Sequence, residues 1–106
     1  MNLRIRDEHE GRDHRVLEVY LEAEDLHIDG WDRGPGTSLI SGDGEYEWWK
    51  TVAAHDIPRL VELLGGKPGE YILTLLERDY MGPKSYEFER ILRESGIPVE
   101  MRTWGG

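Results

Sequence analysis

The chain has 106 residues, 13 basic against 22 acidic, giving a formal net charge of −9, and it contains no cysteine. Such an excess of carboxylates argues against phosphate-backbone binding, which draws its affinity from Lys and Arg, and the absence of thiols excludes disulfides, zinc–thiolate sites and a thiol nucleophile. With 38% hydrophobic residues and ten aromatic side chains (four Trp, five Tyr, one Phe), the composition is that of a folded protein, and the length predicts one domain spanning residues 1–106.

The N-terminus, Met1 to Glu8, is charged throughout and holds no apolar run of the signal-peptide kind. No stretch reaches the roughly 18 apolar residues of a membrane span, so the expected location is cytoplasmic, away from membranes. Leu3 and Ile5 alternate with Asn2, Arg4 and Arg6, the period of two of a half-buried strand. A polar turn is expected over Glu8 to Asp13, then a second strand over His14 to Glu22 with Leu17, Val19 and Leu21 on one face. A break at Ala23-Glu24-Asp25 leads to a third alternating run, Leu26 and Ile28, ending near Trp31, and the three strands read as a meander. Residues 32–44, rich in Gly, form a long connection with Leu39-Ile40 as an anchor. A fourth strand over Glu45 to Ala53 follows, with Tyr46, Trp48 and Val52 opposite Glu47, Trp49 and Thr51.

The apolar period then changes to about 3.6. Asp56 as N-cap, Pro58 in the first turn, the stripe Leu60, Val61, Leu63, Leu64 and the stop Gly65-Gly66 define one helix. A second opens at Pro68, with Tyr71, Ile72, Leu75 and Leu76 recurring, and breaks at Gly82-Pro83. Ser85 is expected to cap a third, with Phe88, Ile91 and Leu92 inside and Glu87, Arg90, Arg93 and Glu94 outside, before Gly96 and Pro98. A last strand alternates Val99, Met101 and Thr103 with Glu100, Arg102 and Trp104. The predicted class is α+β, an antiparallel or mixed sheet of about five strands with three short helices on one face, in the order β-β-β-β-α-α-α-β.

Motifs that would carry chemistry are wanting. Gly65-Gly66-Lys67 is followed by Pro68 rather than Ser or Thr, so it is no phosphate cradle, and no serine sits in a G-x-S-x-G turn. The cluster Asp7, Glu8, His9, Glu10, Asp13 and His14 holds metal-ligand types without H-E-x-x-H spacing and reads as a solvated turn, while His27 and Asp29 share a strand face but make only two ligands. Glu45 and Glu47 lie two apart on an exposed face, a pairing common on strands. No metal and no cofactor is therefore expected.

One surface stands out. If Leu17, Val19, Leu21, Leu26, Ile28, Trp48, Val52, Val99 and Met101 face the helices, parity sends Tyr20, Trp31, Trp49 and Trp104 to the other side. They fall there among Glu18, Glu22, His27, Asp29, Glu47, Glu100 and Arg102, joining large rings to acidic groups, the make-up of a binding face. A covering of these rings by the 32–44 connection is the competing arrangement.

The span from Tyr46-Glu47-Trp48 through Leu63-Leu64-Gly65-Gly66 to Leu92-Arg93-Glu94-Ser95-Gly96-Ile97-Pro98-Val99-Glu100 resembles a group of small acidic actinobacterial proteins of unassigned function. The resemblance implies a bacterial, cytoplasmic protein and brings no catalytic or binding residue with it. The functional expectation is a non-enzymatic protein-binding module whose face, centred on Tyr20, Asp29, Trp31, Glu47, Trp49, Arg102 and Trp104, engages a basic partner such as a toxin it neutralises or a nucleic-acid-binding regulator. The alternatives are a homodimer closed through the same face and a small-ligand or enzymatic site beside the 32–44 connection.

Overall fold

The structure, a computed structural model, describes residues 2–34 and 45–105. Alternation of apolar and polar residues forms five strands: β1 (Asn2–Glu10), β2 (Asp13–Glu22), β3 (Asp25–Arg33), β4 (Glu45–Val52) and β5 (Glu100–Gly105). They make one sheet in the order β1-β2-β3-β4-β5, with every neighbouring pair antiparallel. Between β4 and β5 come a 3-10 turn (Ala54–Asp56) and helices α1 (Ile57–Leu63), α2 (Ile72–Asp79) and α3 (Lys84–Glu94). The fold is thus α+β, with its helices on one face of the sheet as expected. Among the described residues, no helix is long and apolar enough to cross a membrane. Residues 35–44, most of the expected connection with Leu39 and Ile40, lie outside the described residues.

The core forms where the inward strand positions Leu3, Ile5, Leu17, Val19, Leu26, Ile28, Trp48 and Val52 meet Leu60, Val61, Leu64, Ile72, Leu73, Leu75, Leu76, Phe88 and Leu92 from the helices. A close contact joins β3 and β4. Gly30 pairs with Trp48, and a Cβ at Gly30 would lie 2.1 Å from the indole ring, so the ring rests directly on the glycine backbone. Tyr80, buried at the end of α2, donates its hydroxyl proton to the Leu64 carbonyl at 2.7 Å and ties α2 to α1.

Several local expectations are corrected. The polar turn shrinks to Gly11-Arg12, because β1 continues to Glu10 and β2 begins at Asp13; glycine at the first central position, with φ 61°, is the signature of a two-residue hairpin. Arg6, expected among the outward residues, is buried. The register slips between Arg4 and Arg6, a β-bulge that gives β1 an extra residue and turns Arg6 to the helix side. There its Nε donates to Ser85 Oγ at 2.9 Å, its Nη2 pairs with Glu89, and its guanidinium lies 3.6 Å from the Tyr86 ring centre. The Ile5 carbonyl accepts from Gly82 N at 2.7 Å, bonding the bulge to the α2–α3 connection.

Ser85 is consequently no N-cap. Pro83 holds that position, and Ser85 sits buried one residue inside α3, donating to the Gly82 carbonyl while accepting from Arg6. Asp56 occupies the N-cap of α1 but makes no capping hydrogen bond, and α2 begins at Ile72 rather than Pro68, leaving Tyr71 exposed before it. Leu63 is also exposed, off the buried stripe of its helix. Met101 has inward parity yet is 51% exposed, since only the end of α3 reaches the β5 margin, where Lys50, Leu92, Arg93 and Ile97 surround it.

Gly30→Ala is expected to lower stability by about 1–3 kcal/mol, the range for overpacking a filled core, read as a fall in urea midpoint at unchanged m-value. The β2–β3 turn offers the opposite test. Ala23 and Glu24 both adopt positive φ, 50° and 70°, where β-carbons are strained. Replacing them together by Asn-Gly should stabilise the chain by about 1 kcal/mol, a rise in Tm of about 4–8 °C by circular dichroism; a variant melting no higher than its parent would show that the turn is unstrained.

Candidate functional site

The face turned away from the helices is built by strand pairing. Register aligns its side chains in rows that cross all five strands. The central row is Arg4, Glu18, Asp29, Trp49, Arg102; on one side of it runs Asn2, Tyr20, His27, Thr51, Glu100, and on the other Asp7, Val16, Trp31, Glu47, Trp104. All seven residues singled out in the sequence, Tyr20, Asp29, Trp31, Glu47, Trp49, Arg102 and Trp104, therefore share one surface.

Their environments differ. Trp49 and Trp104 are 37% and 49% exposed, too open for core rings. Trp31 is half-buried and held from three sides: its Nε1 donates to Glu45 Oε1 at 2.9 Å, His14 meets it edge-on at 5.2 Å, and the Arg33 guanidinium lies 5.9 Å from its ring centre. That bond gives Glu45 a structural duty that its neighbour on the same face, Glu47, does not share. Tyr20 stacks on His27 with ring centres 5.1 Å apart, and Thr51 Oγ1 lies 3.3 Å from His27 Nδ1.

Two adjoining depressions open on this surface. The first, of about 360 Å³, lies between Arg4, Glu18, Trp31, Glu47 and Trp49; the second, of about 550 Å³, lies between Tyr20, His27, Trp49, Glu100 and Arg102. Asp29 and Trp49 line both, so the carboxylate at the centre of the sheet and the exposed indole beside it form the ridge between them. The expected ligand site beside the 32–44 connection is represented here by Asp29, Glu47 and His27; residues 35–44 are outside the described part.

The charges on the face are only partly self-compensated. Arg4 is spent on Glu18, to which its Nε and Nη2 donate at 2.8 and 2.7 Å, and on Asp7 at 3.3 Å. Asp29 stands directly opposite Glu18 on the neighbouring strand. Partial burial lifts its carboxyl above the ordinary carboxylate range; Glu18 and Glu47 add to the lift, while a hydrogen bond from Tyr20 and the nearby His27 oppose it. Among the described residues, Glu47 and Arg102 make no ion pair.

Sequence reasoning placed the rings and acids but missed two features. The Arg4–Glu18–Asp7 network joins β1 to β2 across 14 residues, and nothing local signals it. Asp7, His9 and His14, read as part of a solvated turn, are drawn together once the hairpin tightens to two residues. No family model, no curated protein and no solved structure matches the chain.

The Asp29 shift has a signed consequence. Its pKa is raised in the folded chain relative to the unfolded one, so the folded state holds this proton more tightly; the contribution favours folding in acid and is lost as pH rises through the raised value. Asp29→Asn should raise Tm at pH 7, by a small amount because the carboxyl is largely solvent-screened, and the gain should fade toward about pH 3, where Asp29 is protonated in both states. Thermal melts across that range check it.

Proposed function

We propose that the open sheet face is a protein-binding surface that takes a basic, Lys- or Arg-bearing polypeptide segment. The observation that carries this reading is the ridge of Asp29 and Trp49 between two depressions, on a face with two exposed indoles and uncompensated carboxylates. A cationic side chain laid over Trp49 beside Asp29 and Glu47 would gain a cation–π contact together with a charge-assisted hydrogen bond, and it would relieve the mutual repulsion of the carboxylates. The net charge of −9 would speed encounter with such a partner and slow it with an acidic one. In kind, this is the role of an immunity-like or regulator-like protein acting in the bacterial cytoplasm, and it requires no catalysis.

Self-association through the same face fits the charges less well. A two-fold contact centred on β3 would set Asp29 against its own copy, acid on acid. The alternative enzymatic reading has less support still, since Glu45 is engaged with Trp31.

The test is titration of the protein with a Lys/Arg-rich peptide and with its Glu-substituted counterpart, followed by Trp fluorescence and calorimetry. Binding of the basic peptide alone is expected, weakening as salt rises, with Trp49→Ser and Asp29→Asn each lowering affinity at least about tenfold while circular dichroism is unchanged. Equal binding of both peptides, or undiminished binding by both folded variants, would refute the reading. Light scattering that shows a dimer lost in Trp49→Ser would replace it with self-association.

A further inference from the structure

We propose that Asp7, His9 and His14, at the end of the β1–β2 hairpin, form a binding site for a divalent transition-metal ion of the zinc class. The ladder creates the set: His9 pairs directly with His14 across the hairpin, and Asp7 lies two residues before His9 in β1. One ligand atom from each of the three falls within 4.8 Å of the other two. Asp7 Oδ1 is 2.7 Å from His14 Nε2 and 3.6 Å from His9 Nε2. Ligand bonds of about 2.0–2.2 Å in tetrahedral geometry set ligand atoms about 3.4 Å apart, a value these two spacings bracket. Two imidazoles and a carboxylate are borderline donors, suited to Zn²⁺ and its neighbours rather than to Mg²⁺ or Ca²⁺.

The surroundings favour the ion. Arg4 donates to Asp7 Oδ2 at 3.3 Å, orienting the carboxylate and leaving Oδ1 toward the imidazoles, and Glu18 shares the positive charge of Arg4. The Trp31 edge contact steadies the ring of His14. His9 is the adjustable ligand: it is stacked on His14 with ring centres 3.9 Å apart and is 69% exposed. Parallel rings cannot both point their lone pairs at one ion, so coordination turns the His9 ring out of the stack and replaces the proton between Asp7 and His14. Three protein ligands leave the ion at least one position for water or an external donor.

The experiment uses the untagged, chelator-treated chain titrated with ZnCl₂ by calorimetry, with CaCl₂ as control. Saturable one-to-one Zn²⁺ uptake is expected, without Ca²⁺ uptake. His9→Ala and Asp7→Asn should each weaken binding at least about tenfold, whereas a His27→Ala/His55→Ala variant should bind as the parent does. His9 is exposed, so its variant folds and the test does not rest on His14. The absence of one-to-one uptake, or uptake unchanged in His9→Ala, would overturn the site. Neither result depends on the peptide-binding face, whose own variants leave these three residues intact.

Discussion

The Trp48 ring lying on the Gly30 backbone decides which way everything else on β3 and β4 points. Both positions sit on the helix face, and only a residue without a β-carbon lets an indole lie flat across the neighbouring strand. With Trp48 committed inward, strand parity turns Trp49 outward, and the same parity on β3 turns Asp29 and Trp31 outward on either side of Gly30. A slip of one residue would exchange Trp48 for Trp49 and expose the helix-facing apolar set to water. One packing contact therefore maintains the core and, on the reverse side of the sheet, the layout of the candidate site.

The bulge in β1 does the equivalent work at the sheet edge. An edge strand has only one ladder partner, and β1 compensates by reaching the helices through Arg6, Ser85 and Glu89 and through the Ile5 carbonyl held by Gly82 N. A buried charge is tolerable only when it is paired and hydrogen-bonded, as this guanidinium is, beneath the Tyr86 ring. The gain is positional rather than energetic, because buried ion pairs contribute little over apolar replacements. Fixing β1 fixes Arg4 and Asp7 on the outer face beside Glu18, and with Arg4 one border of the first depression.

These two devices also mark how far the sequence could be read. Periods of two and 3.6, together with Pro and Gly punctuation, were enough for the element order, the helix face and the outward set of Tyr20, Trp31, Trp49 and Trp104. Those signals are local, each carried by a few adjacent residues. Arg6 was illegible because a bulge inverts parity, and its partners lie 79 and 83 residues away. Ser85 looked like a cap because capping serines and core serines have the same neighbours in sequence. The hairpin tip was misread because charged residues over Glu8–Asp13 resemble a loop, whereas ion pairing of Arg15 with Glu10 across the hairpin and with Asp13 along β2 lets them continue as strand. Met101 failed for a different reason: parity gives the direction of a side chain, and burial needs something on that side to cover it.

The two faces of the sheet thus obey different physics. On the helix face Arg6 is matched by Glu89 and Ser85 is bonded on both sides, and Asp32, half-buried beside them, keeps one carboxylate oxygen without a hydrogen-bond partner among the described residues. On the open face, Asp29 and Glu18 stand opposite one another on adjacent strands, a placement that destabilises a sheet, and the partial burial of Asp29 adds to the penalty. Solubility alone does not require it, since the same acids spread over the helices would serve as well and repel less. Local rules of good folding are broken here by charge placement and by exposed indoles on the adjacent strands β4 and β5. Like charges, a half-buried carboxylate and open indoles gathered in one compact region are the features that support the proposed contact with a partner.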